Sequence, residues 1–281
     1  MAKRLQLEYL WKDRPYDPAA AVADYEPVDF PSGGCRLYGQ VLWPDGGYEG
    51  LRPCVILLHG YPGTSRNDDL AQALRRIGCV VLTFQHRGAW GSQGKYLLSH
   101  CVEDAVEAAA YVRSPAFCQR FRVDPDSIFL GGHSMGGNTT VQAGRGLPWL
   151  KGLILLTPYD PARYLRTGRA EQFRELLACG YVLNSDGLDA IYQDAVDHMD
   201  AFSLENAFED LKDRNLCCVA GSLDTCAPPE EMVDPLWDRL RAHETAAIQR
   251  LVIYPAQHGL CGCRAAATEV IARFLADVLN E

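Results

Sequence analysis

The sequence lacks any apolar run long enough to cross a lipid bilayer. Residues 1–8 contain two basic side chains, but no apolar stretch of the signal-peptide type follows them, because charged residues return at positions 12–14. We therefore expect a cytoplasmic protein that has no membrane partner.

An excess of positive charge is also missing. The chain has 27 Lys and Arg against 36 Asp and Glu, which gives a net charge of −9. Nucleic-acid phosphates and anionic lipid surfaces both attract clustered Lys and Arg, so this balance disfavours both as partners. The hydrophobic content of 48% and the length of 281 residues are typical of a globular protein with one large α/β domain. We expect a small-molecule partner.

Cysteine is abundant, but the spacing typical of a metal site is absent. The 11 cysteines are scattered, and several lie inside apolar runs, where a reduced thiol packs as a small hydrophobic group. Cys261 and Cys263 are close together, yet no second Cys or His pair lies at zinc-site distance. We therefore expect reduced cysteines and no metal.

Short apolar runs that alternate with helical patterns indicate the fold. Most later runs are continuous Val, Ile and Leu without alternation, which is typical of strands covered on both faces of a parallel sheet. The order predicts a doubly wound, mostly parallel α/β sheet. The first two runs flank residues 31–34 and predict an antiparallel edge hairpin. The predicted strands are Val28–Phe30, Arg36–Trp43, Cys54–His59, Cys79–Gln85, Ser127–Gly131, Gly152–Thr157, Leu216–Gly221 and Gln249–Tyr254.

One long segment interrupts this rhythm. Residues 161–214 show only amphipathic helical pattern, and we name them the cap because such an insertion commonly covers a site. A solvated insertion without function is the alternative. The predicted core comprises 28–160 and 215–281. Residues 1–27 form an N-terminal extension that either packs over the core or contacts a second subunit in a possible homodimer.

The pentapeptide Gly132-His133-Ser134-Met135-Gly136 carries the strongest functional signal. An apolar run precedes it and a helical pattern follows it, as a nucleophile elbow requires. The serine of such an elbow occupies a strained turn, and glycines two residues away avoid backbone collisions. We therefore predict Ser134 as a nucleophile; a structural turn is the alternative.

A reactive serine requires a base and an acid that orients the base. His258 follows the last predicted strand, at the sheet edge where catalytic groups gather in α/β folds. Asp224 follows the preceding strand and has the expected chain order of serine, acid, histidine. Asp160, after the strand before that, is the alternative acid. Asp224 could instead merely order its turn.

Two backbone N–H groups are expected to hold the developing oxyanion. The residue after the nucleophile, Met135, supplies one. The other should come from residues 59–63, His-Gly-Tyr-Pro-Gly, which follow an early strand. Since Pro62 has no N–H, Tyr61 is the predicted second donor. We name residues 59–63 the oxyanion loop.

Four segments together resemble the α/β-hydrolase superfamily, in its branch of serine esterases and prolyl oligopeptidase-like hydrolases. They are Gly-His-Ser-Met-Gly-Gly, the oxyanion loop, Gly-Ser-Leu-Asp-Thr and Gln-His-Gly. The resemblance extends from Val28 to Leu279. Residues 85–94 are similar to the R-G-x-G-x-S-x-G-like loop of these enzymes, although His86 departs from it and two residues lengthen it. In this loop Trp90 is assigned to substrate binding, with a packed loop tryptophan as the alternative.

The resemblance implies cleavage of a carboxylic ester through an acyl-enzyme, without a metal or organic cofactor. A peptidase or amidase of the prolyl oligopeptidase type is the alternative, but residues 1–27 are too few for the accessory domain such enzymes carry. A non-catalytic binding protein on the same fold would require a broken triad. Four cap arginines could steer an acidic substrate or form a solvated helix face. They are Arg163, Arg166, Arg169 and Arg174.

Overall fold

The computed structural model describes residues 5–280, in which eight strands form one sheet. The strands are β1 (Asp24–Ser32), β2 (Cys35–Trp43), β3 (Arg52–Leu58), β4 (Val80–Phe84), β5 (Val123–His133), β6 (Gly152–Leu156), β7 (Leu216–Gly221) and β8 (Gln249–Tyr254). Their order across the sheet is β1-β2-β4-β3-β5-β6-β7-β8. Pairing is parallel from β4 to β8, and β1 and β2 are antiparallel to their neighbours. The predicted doubly wound, mostly parallel sheet is confirmed.

Helices cover both faces of the sheet. They are α1 (Asp68–Arg76), α2 (Leu98–Arg113), α3 (Pro115–Phe121), α4 (Met135–Arg145), α5 (Pro161–Arg166), α6 (Ala170–Leu177), α7 (Leu188–Asp197), α8 (Met199–Phe202), α9 (Phe208–Leu211), α10 (Pro229–Met232), α11 (Asp234–Arg241) and α12 (Arg264–Asn280). Short 3₁₀ helices span Leu7–Tyr9, Ala178–Val182 and Glu205–Ala207. Every residue of β3, β4, β6 and β7 is buried, which explains their continuous apolar sequences.

The antiparallel hairpin begins earlier than the sequence predicted. Strand β1 starts at Asp24 rather than Val28, because its backbone pairs with β2 through Asp24 and Trp43. The apolar pattern is visible only from Val28 onward, where alternate side chains enter the core. The predicted edge position of this hairpin is confirmed.

Two apolar layers sandwich the sheet. One contains α2, α3, α4 and the apolar side chains of the cap. The other contains α1 and α12, and it also buries Leu5 and Leu10 of the N-terminal extension. Leu5 and Leu10 therefore pack over the core, which is one of the two arrangements expected for this extension.

The cap follows β6 and consists of short helices joined by turns, and it contributes no strand to the sheet. Its polar anchors to the core include Ser99 of α2, whose hydroxyl donates to Asp194 of α7 over 2.6 Å.

No helix within residues 5–280 is both long and apolar enough to cross a membrane. In the same part of the chain no group of three or more His, Cys, Asp or Glu side chains is arranged to hold a metal ion. Cys261 and Cys263 are free thiols.

Candidate active site

Ser134 occupies the sharp turn between β5 and α4. Its φ of 58° and ψ of −121° are a backbone conformation that non-glycine residues rarely adopt. Its N–H donates to the carbonyl of Leu156 on the adjacent strand over 2.8 Å. A Cβ atom on Gly136 would lie 2.5 Å from the His59 carbonyl oxygen, and one on Gly132 would collide with the Gly136 backbone. The turn therefore needs both glycines, for the steric reason that the sequence suggested.

The structure brings together three side chains that are far apart in the sequence. Ser134 Oγ lies 2.8 Å from His258 Nε2, and His258 Nδ1 lies 2.7 Å from Asp224 Oδ2. Asp224 follows β7 and His258 follows β8, so both project from the carboxyl edge of the sheet beside the serine. Ser134 is largely buried, with 8% of its surface exposed. The arrangement can pass a proton from the serine to the histidine.

Asp224 has the environment of a stable carboxylate. Burial raises the pKa of this carboxyl, but the hydrogen bonds from His258 and from the N–H groups of Ala227 and Cys226 bring the pKa below its ordinary value. Both N–H groups donate to the second carboxylate oxygen over 2.8 Å. The ionised carboxylate can thus orient the His258 ring through Nδ1 and stabilise a positive charge on it.

Two further residues hold the backbone of His258. His133 Nε2 donates to the His258 carbonyl oxygen over 2.9 Å, and Thr157 Oγ1 donates to the same oxygen over 3.0 Å. Burial lowers the pKa of His133 to about 4, so its ring is neutral at physiological pH. No sequence pattern indicates either contact, because His133 and Thr157 lie 125 and 101 positions from His258 along the chain.

The oxyanion loop lies directly against Ser134. A Cβ atom on Gly60 would be 3.0 Å from Ser134 Cβ. Within residues 5–280 the Tyr61 N–H donates no hydrogen bond, and the Met135 N–H, at the first position of α4, has no intrahelical acceptor. Both N–H groups are therefore available at the turn that carries Ser134.

The alternative acid does not contact the histidine. Asp160 caps the first turn of the cap, where one carboxylate oxygen accepts the Arg163 N–H over 3.2 Å. The other oxygen accepts the Leu204 N–H over 2.9 Å. Burial raises the Asp160 pKa to about 6. The structure thus gives Asp160 a helix-capping position that ties the beginning of the cap to Leu204.

Trp90 lies beside the oxyanion loop. Its indole N–H donates to the Pro62 carbonyl over 2.9 Å, and the residue is 47% exposed. A Cβ atom on Gly63 would lie 2.8 Å from the indole nitrogen, so the loop and the indole pack closely. The side chain therefore both supports the loop and leaves half of its surface free for a ligand.

A buried polar cluster contacts the oxyanion loop, and the sequence did not reveal it. Asp104 accepts hydrogen bonds from Ser32 Oγ over 2.6 Å and from Arg87 Nε over 2.7 Å. The Asp104 pKa, which burial raises, is brought below its ordinary value by the His86 ring, Ser32 and the Arg87 N–H. The His86 N–H donates to His59 Nε2 over 3.1 Å, which connects the cluster to the oxyanion loop.

An open groove of about 980 Å³ separates the cap from the loop that carries Asp224. Tyr164, Arg169 and Leu176 line its cap side, and Leu223 and Glu230 lie opposite. The groove is therefore a mixed apolar and polar channel beside the acid of the site.

The predicted basic patch is largely neutralised. Arg166 pairs with Asp200 and Arg174 pairs with Asp189, each over 2.5 Å. Arg169 forms an ion pair with Glu231 across the groove. Because these three arginines are paired with carboxylates, they do not provide the excess positive potential that would steer an acidic substrate.

A family model and a curated protein each match part of this chain. A family model described as serine aminopeptidase, S33, matches residues 50–181. A lysophosphatidylserine lipase, ABHD12, from Danio rerio is 26% identical over 129 residues, which cover 43% of this chain and 32% of that protein. The chain therefore spans about a third of the length of this curated relative.

Solved structures share the whole fold at low identity. Est1E from Butyrivibrio proteoclasticus is 18% identical, with a TM-score of 0.69 over 91% of this chain and 99% of that one. Dipeptidyl peptidase 4 from Porphyromonas gingivalis is 19% identical, with a TM-score of 0.67 over 91% of this chain and 36% of that one. At these identities the likeness concerns the fold alone.

Proposed function

We propose that this chain, which has the α/β-hydrolase fold, is a serine hydrolase that cleaves carboxylic esters through an acyl-enzyme. The continuous hydrogen-bonded line from Ser134 through His258 to Asp224 carries this proposal. Its geometry supplies a nucleophile, a base and an ion that stabilises the protonated base.

In the proposed reaction, Ser134 Oγ attacks the ester carbonyl while its proton moves to His258 Nε2. Asp224 stabilises the imidazolium, and the N–H groups of Tyr61 and Met135 hold the oxyanion. Collapse of the tetrahedral intermediate expels the alcohol, which takes the proton from His258. A water molecule then gives a proton to His258 and attacks the acyl carbonyl. The second tetrahedral intermediate collapses with cleavage of the bond between the acyl carbon and Ser134 Oγ, which takes the proton back from His258 as the acid leaves.

The cap is proposed to select the substrate. It lines one side of the 980 Å³ groove with Tyr164, which is buried, and Leu176, which is partly buried, and their apolar surfaces suit an organic acyl or alcohol group. Trp90 contributes a half-exposed indole on the other side of the oxyanion loop. Replacing residues 161–212 by another cap should therefore change acyl preference, and unchanged selectivity would contradict this assignment.

A peptidase or amidase is the second candidate. The family model with a serine aminopeptidase description favours it, and so does Glu230, an exposed carboxylate in the groove that could attract a substrate amine. The neighbouring Glu231 is already paired with Arg169. A panel of nitrophenyl esters of rising acyl length, compared with aminoacyl anilides, decides between the two reactions.

The proposal is tested by covalent labelling with a fluorophosphonate probe. We expect the folded protein to capture the probe, and the variant Ser134→Ala to lose labelling and to lose roughly 10⁵–10⁶-fold in ester turnover. Circular dichroism of both proteins controls for folding. Absence of labelling in the folded parent protein would instead favour a non-catalytic binding protein on this fold.

A further inference from the structure

Three hydrogen bonds hold the oxyanion loop, two made by side chains of the loop itself, His59 and Tyr61, and one by Trp90. His59 Nδ1 donates to the Gly60 carbonyl over 2.7 Å, and Trp90 Nε1 donates to the Pro62 carbonyl over 2.9 Å. The third contact belongs to the cap, where the Tyr61 hydroxyl donates to the Leu177 carbonyl over 2.7 Å. The cap is therefore bonded directly to the residue whose N–H lies beside Ser134.

The hydrogen bond from His59 to the Gly60 carbonyl fixes one end of a planar peptide unit. The Gly60 carbonyl and the Tyr61 N–H belong to the same trans peptide and point in opposite directions. A carbonyl held by His59 therefore aims the Tyr61 N–H away from His59. Burial lowers the His59 pKa to about 3, which keeps the ring neutral, with Nε2 accepting the His86 N–H and Nδ1 donating.

The cap segment that contacts Tyr61 is itself firmly attached to the core. The Asn184 N–H donates to the Gly88 carbonyl over 2.8 Å, and its carbonyl accepts the Tyr96 N–H over 2.8 Å. The Tyr96 ring packs edge-on against the Tyr61 ring, with 5.6 Å between centroids. Residues 177–184 of the cap, the Tyr61 phenol and the oxyanion loop thus form a single packed unit.

We propose that the Tyr61 phenol is a positioning residue which makes the alignment of the oxyanion-binding N–H depend on the seating of the cap. This inference rests on the proposed serine-hydrolase function. When residues 177–184 are seated, the Tyr61 hydroxyl is held and its N–H faces the reacting carbonyl oxygen. If this segment shifts, the phenol loses its acceptor and only the His59 and Trp90 contacts still hold the loop, so the Tyr61 N–H is aligned less precisely for oxyanion stabilisation.

The variant Tyr61→Phe keeps the backbone N–H and the ring but removes the bond to the cap. We expect kcat for a nitrophenyl ester to fall by roughly tenfold, less than the 10²–10³-fold cost of losing an oxyanion donor completely, with KM nearly unchanged. The inhibition constant of an arylboronic acid, whose serine adduct places an oxygen in the oxyanion site, should rise by a similar factor. A purely structural role would lower the melting temperature without this matched change.

The control variant is Ser99→Ala, which removes another cap-to-core hydrogen bond, the one to Asp194, away from the oxyanion loop. We expect Ser99→Ala to keep the parental ratio between boronic-acid affinity and KM. A second variant changes the cap instead of Tyr61. A Cβ at position 180 would overlap the Tyr61 hydroxyl, so Gly180→Ala should reproduce the loss in kcat.

The outcomes separate this inference from the function on which it rests. If the parent protein neither hydrolyses esters nor captures the probe, both proposals fall. If the parent is active but Tyr61→Phe matches it in kcat and in boronic-acid affinity, the coupling alone is overturned. Equal losses in Tyr61→Phe and Ser99→Ala would also overturn it, because any loosening of the cap would then suffice.

Discussion

Two buried aspartates at the same edge of the sheet differ in the side chains that contact them. Asp160 follows β6 and Asp224 follows β7, and both carboxylates accept two backbone N–H hydrogen bonds. Only Asp224 also faces a histidine, at 2.7 Å. This one partner accounts for the chemical difference between two residues that the sequence presents as alternatives.

The difference is visible in how readily each carboxyl ionises. Burial raises the Asp160 pKa to about 6, and its backbone N–H donors offset this only in part. At Asp224 burial also raises the pKa, but His258 together with two N–H donors brings it below its ordinary value. Backbone hydrogen bonds alone therefore suit a helix cap, whereas the added imidazole favours the ionised form of Asp224, which the proposed role of this carboxylate requires.

The largest effect is expected from exchanging each carboxyl for an amide. Asp224→Asn should lower kcat for an ester by roughly 10³–10⁴-fold, because an amide can neither select the reactive tautomer of His258 nor stabilise its positive charge. Asp160→Asn should leave kcat nearly unchanged, since Asp160 contacts no group of the site. Steady-state kinetics of the two variants measure this directly, and comparable losses would break the distinction.

A smaller effect is expected on stability. Asp160→Ala leaves the N–H groups of Arg163 and Leu204 without their acceptor and removes the cap of α5. We expect the free energy of unfolding to fall by about 1–2 kcal/mol, with kcat for esters retained. Urea denaturation supplies the first value. A large loss of activity at unchanged stability would instead place Asp160 in the reaction.

A further expected effect is a difference in pH dependence. Because the folded-state pKa of Asp160 is raised from 3.8 to about 6, its contribution to stability is complete below pH 3.8 and is lost as pH rises through about 6. For Asp224 the pKa is lowered, so its contribution is present above pH 3.8 and is lost as pH falls through the folded-state pKa. The parent protein should therefore gain stability relative to Asp160→Asn as the pH is lowered from 7 to 4.

Thermal unfolding of these two proteins in matched buffers measures the difference. Asp160→Asn is the suitable reference because it keeps the shape of the side chain and cannot titrate. A stability difference that stays constant over this pH range would show that Asp160 has an ordinary pKa, and the contrast with Asp224 would then rest on position alone.

Much of the fold was predictable because it depends on short-range patterns. Continuous apolar runs require burial on both faces, which indicated the parallel strands. The pentapeptide around Ser134 predicted a strained turn, and the φ of 58° at this residue agrees with it. Strand β1 was predicted too short, because backbone pairing with β2 extends it through Asp24, where side-chain pattern carries no signal.

Local sequence patterns are sufficient to predict the α/β architecture, the elbow at Ser134 and the chain order that makes His258 and two aspartates candidates. Tertiary structure alone decided that Asp224 meets the histidine, while Asp160 joins the start of the cap to Leu204. It also decided that Tyr61 bonds to the cap. The physical reason is distance along the chain: local sequence fixes backbone conformation, but a hydrogen bond between residues 34 to 116 positions apart exists only once the sheet and the cap have packed.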